Sequence, residues 1–573
     1  MQPHSSQTMV SSPASPVASL PTTFQQWPLP SFVLRMGRGL DSEEVSLEQV
    51  RRYASDKAWV WPSRLILFFC DIHADTDAFL LSLLASGGVE RTGSADNDFQ
   101  LTKRGRHACF IIGGDCFDKG PENLRLLRCL KHLLDLGADV TILAGNHDLR
   151  TYLGLAYAGR RETKLQHLFV RMGKKTMPLF LEIREEARRA GELDGEVLSD
   201  EEVRQRLFPS DHWYREFEAA AGNAIPAKKL AKEVRRIREK SSELETTCRK
   251  LGIRLGEIYA VLERARQMFL ERDGEFAWYF QRMTLARQEG SFLFVHAGVD
   301  DTVARVLCRH GVPGLNAWYH RLFEADLFEL YHGAIGNAFR TKYRDIDYPL
   351  TDHGLSQLHG AGIYAIVHGH RNILHGQRLT LRQGVLNFEC DASVDRNTRA
   401  LEGLAGPGGA VVLFLPSGRI QAISTDYPFI KDFDPARVFQ FTSLTSRPNP
   451  REEHGIMTVT QEDPSLDETV TLEDGDADDD DGDQTPNHKG KDKAKIKFAS
   501  VMQRAEAVAY FSALVDGLRH GRLQFRHGME SVALEPSEQV AIEVKAARKG
   551  DKERVSFELE WKRPPREPLE VNG

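Results

Sequence analysis

At five places in this chain a short apolar run gives way to side chains that bind metals or move protons. Leu65–Cys70 is followed by Asp71, Ile72 and His73. Cys109–Ile112 is followed by Gly113, Gly114, Asp115, Cys116, Phe117, Asp118, Lys119 and Gly120. Val140–Leu143 leads through Ala144 into Gly145, Asn146, His147 and Asp148. Phe292–Val295 is followed by His296, Ala297 and Gly298, and Tyr364–Val367 by His368, Gly369 and His370. Residues i and i+2 at a strand end project to the same side, so Asp71 and His73 can grip one cation. Each piece alone is weak, because a lone Asp-x-His arises by chance and a buried histidine is usually a satisfied core residue. Five in series, each capping an apolar run, are a strong signal, since α/β proteins build their sites at strand ends.

The elements that must position these groups are legible as patterns. Short apolar runs followed by polar, glycine-containing segments predict buried strands, and helix-like stretches between several of them predict a layered α/β fold. Residues 155–288 read as a helical insertion. Within it Leu230, Val234, Ile237, Ser241, Leu244, Cys248, Leu251, Leu255, Ile258, Leu262, Ala265 and Phe269 alternate spacings of four and three. That spacing predicts one long helix, packed in an antiparallel hairpin on its own domain or, as the sharper alternative, in an intermolecular coiled coil. Residues 1–35, rich in Ser, Pro and Thr, read as a disordered leader. Residues 445–493 read as an acidic disordered linker: 462–483 carry many Asp and Glu and no Lys or Arg, and like-charge repulsion with few apolar residues cannot offset chain entropy. A small α+β domain is expected at 494–565, with a helix over Arg504–Leu518 and period-two strands around Val540–Val544 and Val555–Trp561.

The chain has 573 residues, which at about 150 per domain predicts two to four domains. Lys and Arg number 75 against 82 Asp and Glu, a formal net charge of −7. That balance gives no strong nucleic-acid signal. No apolar stretch approaches the roughly 18 residues of a membrane span, and no secretory leader is expected. Seven scattered cysteines without a Cys-x-x-Cys pair fit reduced thiols and a cytoplasmic location.

The motif order over roughly 64–430 resembles the calcineurin-like metallophosphoesterases, whose members carry GDxHG, GDxxDRG, GNHE or GNHD, HAG or HGG, and a final GH. It is most similar to the bacterial relatives of phosphoprotein phosphatases and of diadenosine tetraphosphatase. The resemblance implies a four-layer α/β/β/α sandwich built from 36–154 and 289–435. It also implies two divalent ions, Mn2+ first, with Fe or Zn as alternatives. Asp71, His73 and Asp115 would bind the first; Asp115 would bridge to a second, also held by Asn146, His296 and His370. A bridging carboxylate suits two cations about 3.5 Å apart, and mixed O and N ligands suit these metals better than Ca2+. A metal-bridging hydroxide would attack phosphorus, and His147 would protonate the leaving oxygen with Asp118 orienting its ring. Lys119, where the family has Arg, and Arg150 would hold phosphate oxygens. His368 stands where phosphoprotein phosphatases carry Arg and is expected to orient a ligand from behind. The flanking glycines of the first motif are Cys70 and Ala74 here. At the other end, the order strand, helix, strands, closing on Glu558, Leu559, Glu560 and Trp561, resembles the amphi-Trp domain.

The expected activity is hydrolysis of phosphomonoesters or phosphoproteins, with dinucleoside polyphosphate hydrolysis as the alternative. From a different class comes a non-catalytic partner-binding scaffold. The insertion is the place for self-association or a protein partner. One of Arg340, Arg344, Arg396 and Arg399 is expected to contact substrate.

Overall fold

In the computed structural model the chain divides into two units, Met1–Phe441 and Thr442–Gly573. The described residues are 20–29, 44–192, 198–221, 225, 227–344 and 347–439, with the strand residues 523–527, 530–534, 541–549 and 552–560.

All five apolar runs of the sequence are strands. In chain order the first unit contains β1 (Phe24–Gln26), β2 (Ile66–Phe69), β3 (Val89–Arg91), β4 (Phe99–Leu101), β5 (Cys109–Ile112), β6 (Asp139–Leu143) and β7 (Met283–Thr284). Then follow β8 (Ala286–Glu289), β9 (Phe292–Val295), β10 (Ala365–His368), β11 (Arg378–Arg382) and β12 (Val385–Glu389). The last three are β13 (Ala410–Phe414), β14 (Ile420–Ser424) and β15 (Ile430–Phe433). Eight of these form one sheet in the order β1-β15-β14-β13-β2-β5-β6-β7, and five form a second in the order β11-β12-β10-β9-β8.

Alternation along the strands assigns each sheet two apolar faces. Ile66, Phe68, Cys109 and Ile111 share one buried cluster with Phe292, Phe294, Ala365 and Val367 of the other sheet. Rings cross between the sheets there, with Phe68 and Phe294 at 5.6 Å and Phe292 and Phe414 at 5.2 Å. Leu67, Phe69, Phe110 and Ile112 point the other way, into a cluster with Phe79, Leu83, Leu126, Leu127 and Leu130 of the helices Thr76–Ala85 and Asn123–Asp135. Strands apolar on both faces are what sheets covered on both sides require. A one-residue slip from the register Ile66↔Cys109 would exchange the two faces.

β2, β5 and β6 are mutually parallel, as are β9 and β10. The loops leaving each parallel set therefore emerge at the same end of its sheet, and the five motifs occupy those loops.

The insertion is helical, but it ends earlier than the expected 288, because β7 pairs with β6 and β8 with β9. The predicted single long helix is two, Ala227–Lys250 and Leu255–Leu270. Gly252 takes a left-handed φ of 65°, and Ile253 N–H donates back to Cys248 O at 3.0 Å, which closes the first helix. The seam residues Ile237, Leu244, Cys248, Ile258, Leu262, Ala265 and Phe269 are buried in the core of their own unit. The second helix packs against Met177–Arg189, Asn146–Tyr157 and Asp200–Leu207 rather than into a two-helix hairpin.

The expected leader also needs correction. β1 pairs in parallel with β15, and Trp27 is buried, its ring edge-on to Phe388 at 5.5 Å. An aromatic anchor of that size outweighs the polar composition around it. Residues 1–19 and 30–43, the linker 445–493, the helix expected over Arg504–Leu518 and Trp561 lie outside the described residues. In the second unit Leu523–His527 pairs antiparallel with Glu530–Leu534, and Ala541–Lys549 with Lys552–Glu560. Among the described residues no helix is long and apolar enough to cross a membrane.

Candidate metal centre

The motif loops are tied together by their own backbones. Asp71 N–H donates to Gly114 O at 3.1 Å, His73 N–H to Asp115 O at 3.0 Å and Ala74 N–H to Cys116 O at 2.8 Å. These turns use the left-handed region at non-glycine residues: φ is 52° at Asp71, 48° at His73, 56° at Asp115 and 67° at His370. Asp and His tolerate that region better than most residues. A Cβ at Gly145 would strike Asp115, and one at Gly369 would strike the Asp71 carboxylate. Glycine at these two positions lets backbone approach the ligands closely.

Asp148, which the sequence analysis left without a role, organises the second loop. Its carboxylate accepts from the N–H groups of Asp115 (2.8 Å), Cys116 (2.9 Å), Phe117 (3.2 Å) and Gly145 (3.2 Å). Next to it, His147 N–H donates to Asp115 Oδ1 at 2.9 Å. This places the Asp115 carboxylate at the start of the helix Asn146–Tyr157, where exposed N–H groups favour negative charge.

Each expected histidine ligand has one nitrogen fixed by a carbonyl. His73 Nδ1 donates to Phe117 O at 3.1 Å, and its Nε2 lies 4.0 Å from both Asp71 Oδ1 and Asp115 Oδ2. His296 Nδ1 donates to Gly113 O at 2.8 Å; its Nε2 faces Asp115 Oδ2 at 3.3 Å and Asn146 Oδ1 at 3.1 Å. His370 Nε2 donates to Arg340 O at 3.2 Å. Donors locked in this way present a fixed lone pair, the usual arrangement around metal-binding histidines. Two groups with ligand atoms within 4.8 Å of one another result: Asp71, His73 and Asp115, and Asp115, His296 and His370. The residues present therefore fit divalent ions.

The electrostatics point the same way. Burial, Asp391 and Asp115 raise the Asp71 carboxyl well above the usual range. Burial opposes the charge on Asp115 too, but His296, His147 and His73 hold it well below that range. Asp148 is pushed up to about 7 by burial and by Asp115. Against its own burial, His296 is carried up to about 10 by Asp115. Clustered buried carboxylates that hold protons in this way are short of positive charge, which a cation supplies.

His147 Nδ1 lies 2.9 Å from Asp118 Oδ2, and Arg150 Nη2 donates to the same oxygen at 2.9 Å. Burial, then Arg150, lowers the imidazole to about 4. Thr176, in the insertion, reaches the other Asp118 oxygen at 3.4 Å. Lys119 sits among carboxylates: burial opposes its charge, but Asp395, Asp391, Asp71 and Asp115 hold it above its ordinary value. His368 donates from Nδ1 to Gly369 O at 2.8 Å, so it holds the loop that carries His370.

The structure thus brings Asp71, His73, Asp115, Asn146, His296 and His370 together, with His147, Asp118 and Arg150 beside them. Of the candidate arginines, Arg396 is engaged by Asp75, Asp77 and Glu122. Arg399 is held by Asp426. Arg340 lies over the Tyr331 ring at 4.6 Å, and Arg344 pairs with Asp347. Asp391, buried and close enough to bias both Asp71 and Lys119, was missed. Its signal was that of the others, a carboxylate just past a strand end, here β12.

The calcineurin-like phosphoesterase family model matches residues 65–229, and the Amphi-Trp domain model matches 490–570. No curated protein matches the chain. Among solved structures, a cold-active protein-tyrosine phosphatase of a psychrophile Shewanella is 13% identical, with 68% of this chain and 87% of that one covered at a TM-score of 0.31. A protein serine/threonine phosphatase from Saccharomyces cerevisiae is 11% identical, with 68% and 87% covered at a TM-score of 0.26. The matched segment holds the first three motif loops, so the chain carries a calcineurin-like phosphoesterase domain match over residues 65–229, on the same loops that build the site, and an Amphi-Trp domain match over 490–570.

Proposed function

We propose that this site hydrolyses phosphomonoesters or phosphoproteins with two divalent ions, Mn2+ in the first place and Fe or Zn as alternatives. The observation that supports it is the sharing of Asp115 between two ligand groups. A carboxylate common to both positions offsets the repulsion of two cations. Bound ions would supply an activated water at neutral pH and neutralise charge on the phosphoryl oxygens.

The chain's own residues do the rest. In its protonated form His147 would give the Nε2 proton to the leaving oxygen and end as the neutral Nδ1–H tautomer, with Asp118 accepting from Nδ1 and so fixing the ring. Arg150 steadies the same Asp118 oxygen and adds positive charge beside it. Lys119 is surrounded by carboxylates; once cations satisfy these, its ammonium is released to a phosphate oxygen. His368 keeps the His370 loop in place through Gly369.

The test is elemental analysis together with turnover of an aryl phosphate, a phosphopeptide and a dinucleoside polyphosphate, with Mn2+ added. Asp115→Asn should remove two ions per chain and abolish turnover. An active enzyme in which that substitution removes one ion or none would overturn the two-ion reading. Preference for the dinucleoside polyphosphate would move the substrate class. No turnover of any substrate by metal-loaded protein would favour the partner-binding scaffold.

A further inference from the structure

Away from the Asp115 centre, three side chains from separate helical segments of the first unit converge. His167 directly precedes the helix Leu168–Met172, Glu233 lies within Ala227–Lys250, and His332 closes Leu327–His332. Their ligand-type atoms lie within 4.8 Å of one another. The residues are 0, 8 and 6% exposed. Neither ring nitrogen of His167 has a hydrogen-bond partner, although buried polar atoms nearly always find one. Trp213 and Phe217 pack against its ring at 5.0 and 4.6 Å, and Phe328 against that of His332 at 4.7 Å. Burial, helped by Arg171, keeps His167 neutral, with its pKa well below the ordinary histidine value.

We propose that His167, Glu233 and His332 bind a further divalent cation, Zn2+ or another late first-row ion, that pins the helical insertion to the phosphoesterase part of the fold. Two imidazoles and one carboxylate are a donor set that Zn2+ accepts, with water in the fourth position. Arg171 Nε takes Glu233 Oε1 at 2.7 Å. The guanidinium beside Glu233 acts as the orienting partner that metal-binding carboxylates commonly have. Arg171 and Arg340 both place positive charge near Glu233. That charge disfavours Ca2+ and Mg2+, which bind mainly through carboxylate charge. It weighs less against ions that bond strongly to neutral imidazole. His167 and Glu233 belong to the insertion, whereas His332 follows β9, so the ion would join segments far apart in the chain. With all three ligands buried and both imidazoles packed against aromatic rings, its role is structural.

Full-length protein loaded with Zn2+ and Mn2+ and then desalted should lose one bound ion on His167→Ala, whatever number the Asp115 centre holds. Glu233→Gln, which preserves side-chain size, should lose the same ion and decides the matter if His167→Ala does not fold. Asp115→Asn should keep this ion, and when loaded with Co2+ it should show the intense visible absorption of a tetrahedral site. That absorption should vanish when His167→Ala is added. An unchanged ion count in Glu233→Gln, or no Co2+ absorption in Asp115→Asn, would overturn the proposal.

Discussion

The Asp115 centre and the His167 cluster are both buried groups of imidazole and carboxylate, yet they are held in different ways. At the centre, carbonyls of Phe117, Gly113 and Arg340 each fix one nitrogen of a histidine, and neighbouring loops share backbone hydrogen bonds. In the His167 cluster, packing against Trp213, Phe217 and Phe328 sets the rings, and neither ring nitrogen of His167 has a hydrogen bond. Backbone-held ligands keep their geometry with or without an ion. Ligands held by helix packing depend on the helices staying where they are.

The largest expected effect is on chemistry at the backbone-held centre. His147→Asn should retain the ions of the centre and lose about 10²–10⁴-fold in rate on alkyl phosphates, the usual cost of a missing general acid. The loss on aryl phosphates should be smaller, since their leaving groups need less protonation. Steady-state rates on both substrate types check this; equal losses would reassign His147 to phosphate positioning.

Next comes the carboxylate that holds the second loop. Asp148→Asn sets an amide donor against backbone N–H groups that now donate to Asp148. Loss of buried hydrogen bonds to a charged group should cost about 4 kcal/mol, read by denaturant melts, with metal affinity down by about 10–100-fold. Unchanged metal affinity would mean that the ligand loops do not depend on this support.

His368 stands between the two modes, with Nδ1 held by Gly369 O and a buried Nε2 that has no partner. Burial lowers it to about 4. The unfolded chain, with a histidine near pH 6.5, binds this proton first, so His368 contributes stability that is full above pH 6.5. That contribution falls as the pH drops towards 4, amounting to about 3 kcal/mol for a shift of this size. His368→Gln should remove about that much of the loss between pH 6.5 and 4 in stability profiles. An unaltered profile would place the acid sensitivity elsewhere.

The smallest effect tests the helix-held side. Gly252→Ala forces a Cβ into the left-handed region, at about 1 kcal/mol. Calorimetry should show that small loss. A gain in stability would mean that the two helices can merge, which the packing of Leu255–Leu270 against three other helices opposes.

These contrasts also explain what could be read in the sequence. The five strand-end motifs were legible because short apolar runs and ligand-type side chains adjoin in the chain. Asp391 escaped because its relevance comes from nearness to Asp71 and Lys119, which are hundreds of residues away. Asp148 lies inside a motif, but three of the four N–H groups that donate to it belong to another loop, Asp115–Phe117. The seam from Leu230 to Phe269 was read as one helix because an amphipathic helix facing its own core and a coiled-coil strand share the three-four spacing. The left-handed φ of Gly252 splits the seam into two helices, and the seam's burial in its own unit decides between the two packings. Polar composition concealed β1, since three residues beside a buried Trp27 leave little periodic signal.

That first strand alters how the molecule can be shortened. β1 closes one margin of the eight-stranded sheet, where Ile430 N–H donates to Thr23 O and Trp27 N–H donates to Asp432 O. Trimming the chain to the first motif would strip this cover and bare the main-chain donors and acceptors of β15. An uncovered margin is a template for pairing with another chain. Residues 20–29 thus complete the folded sheet, although composition alone would have marked them as dispensable.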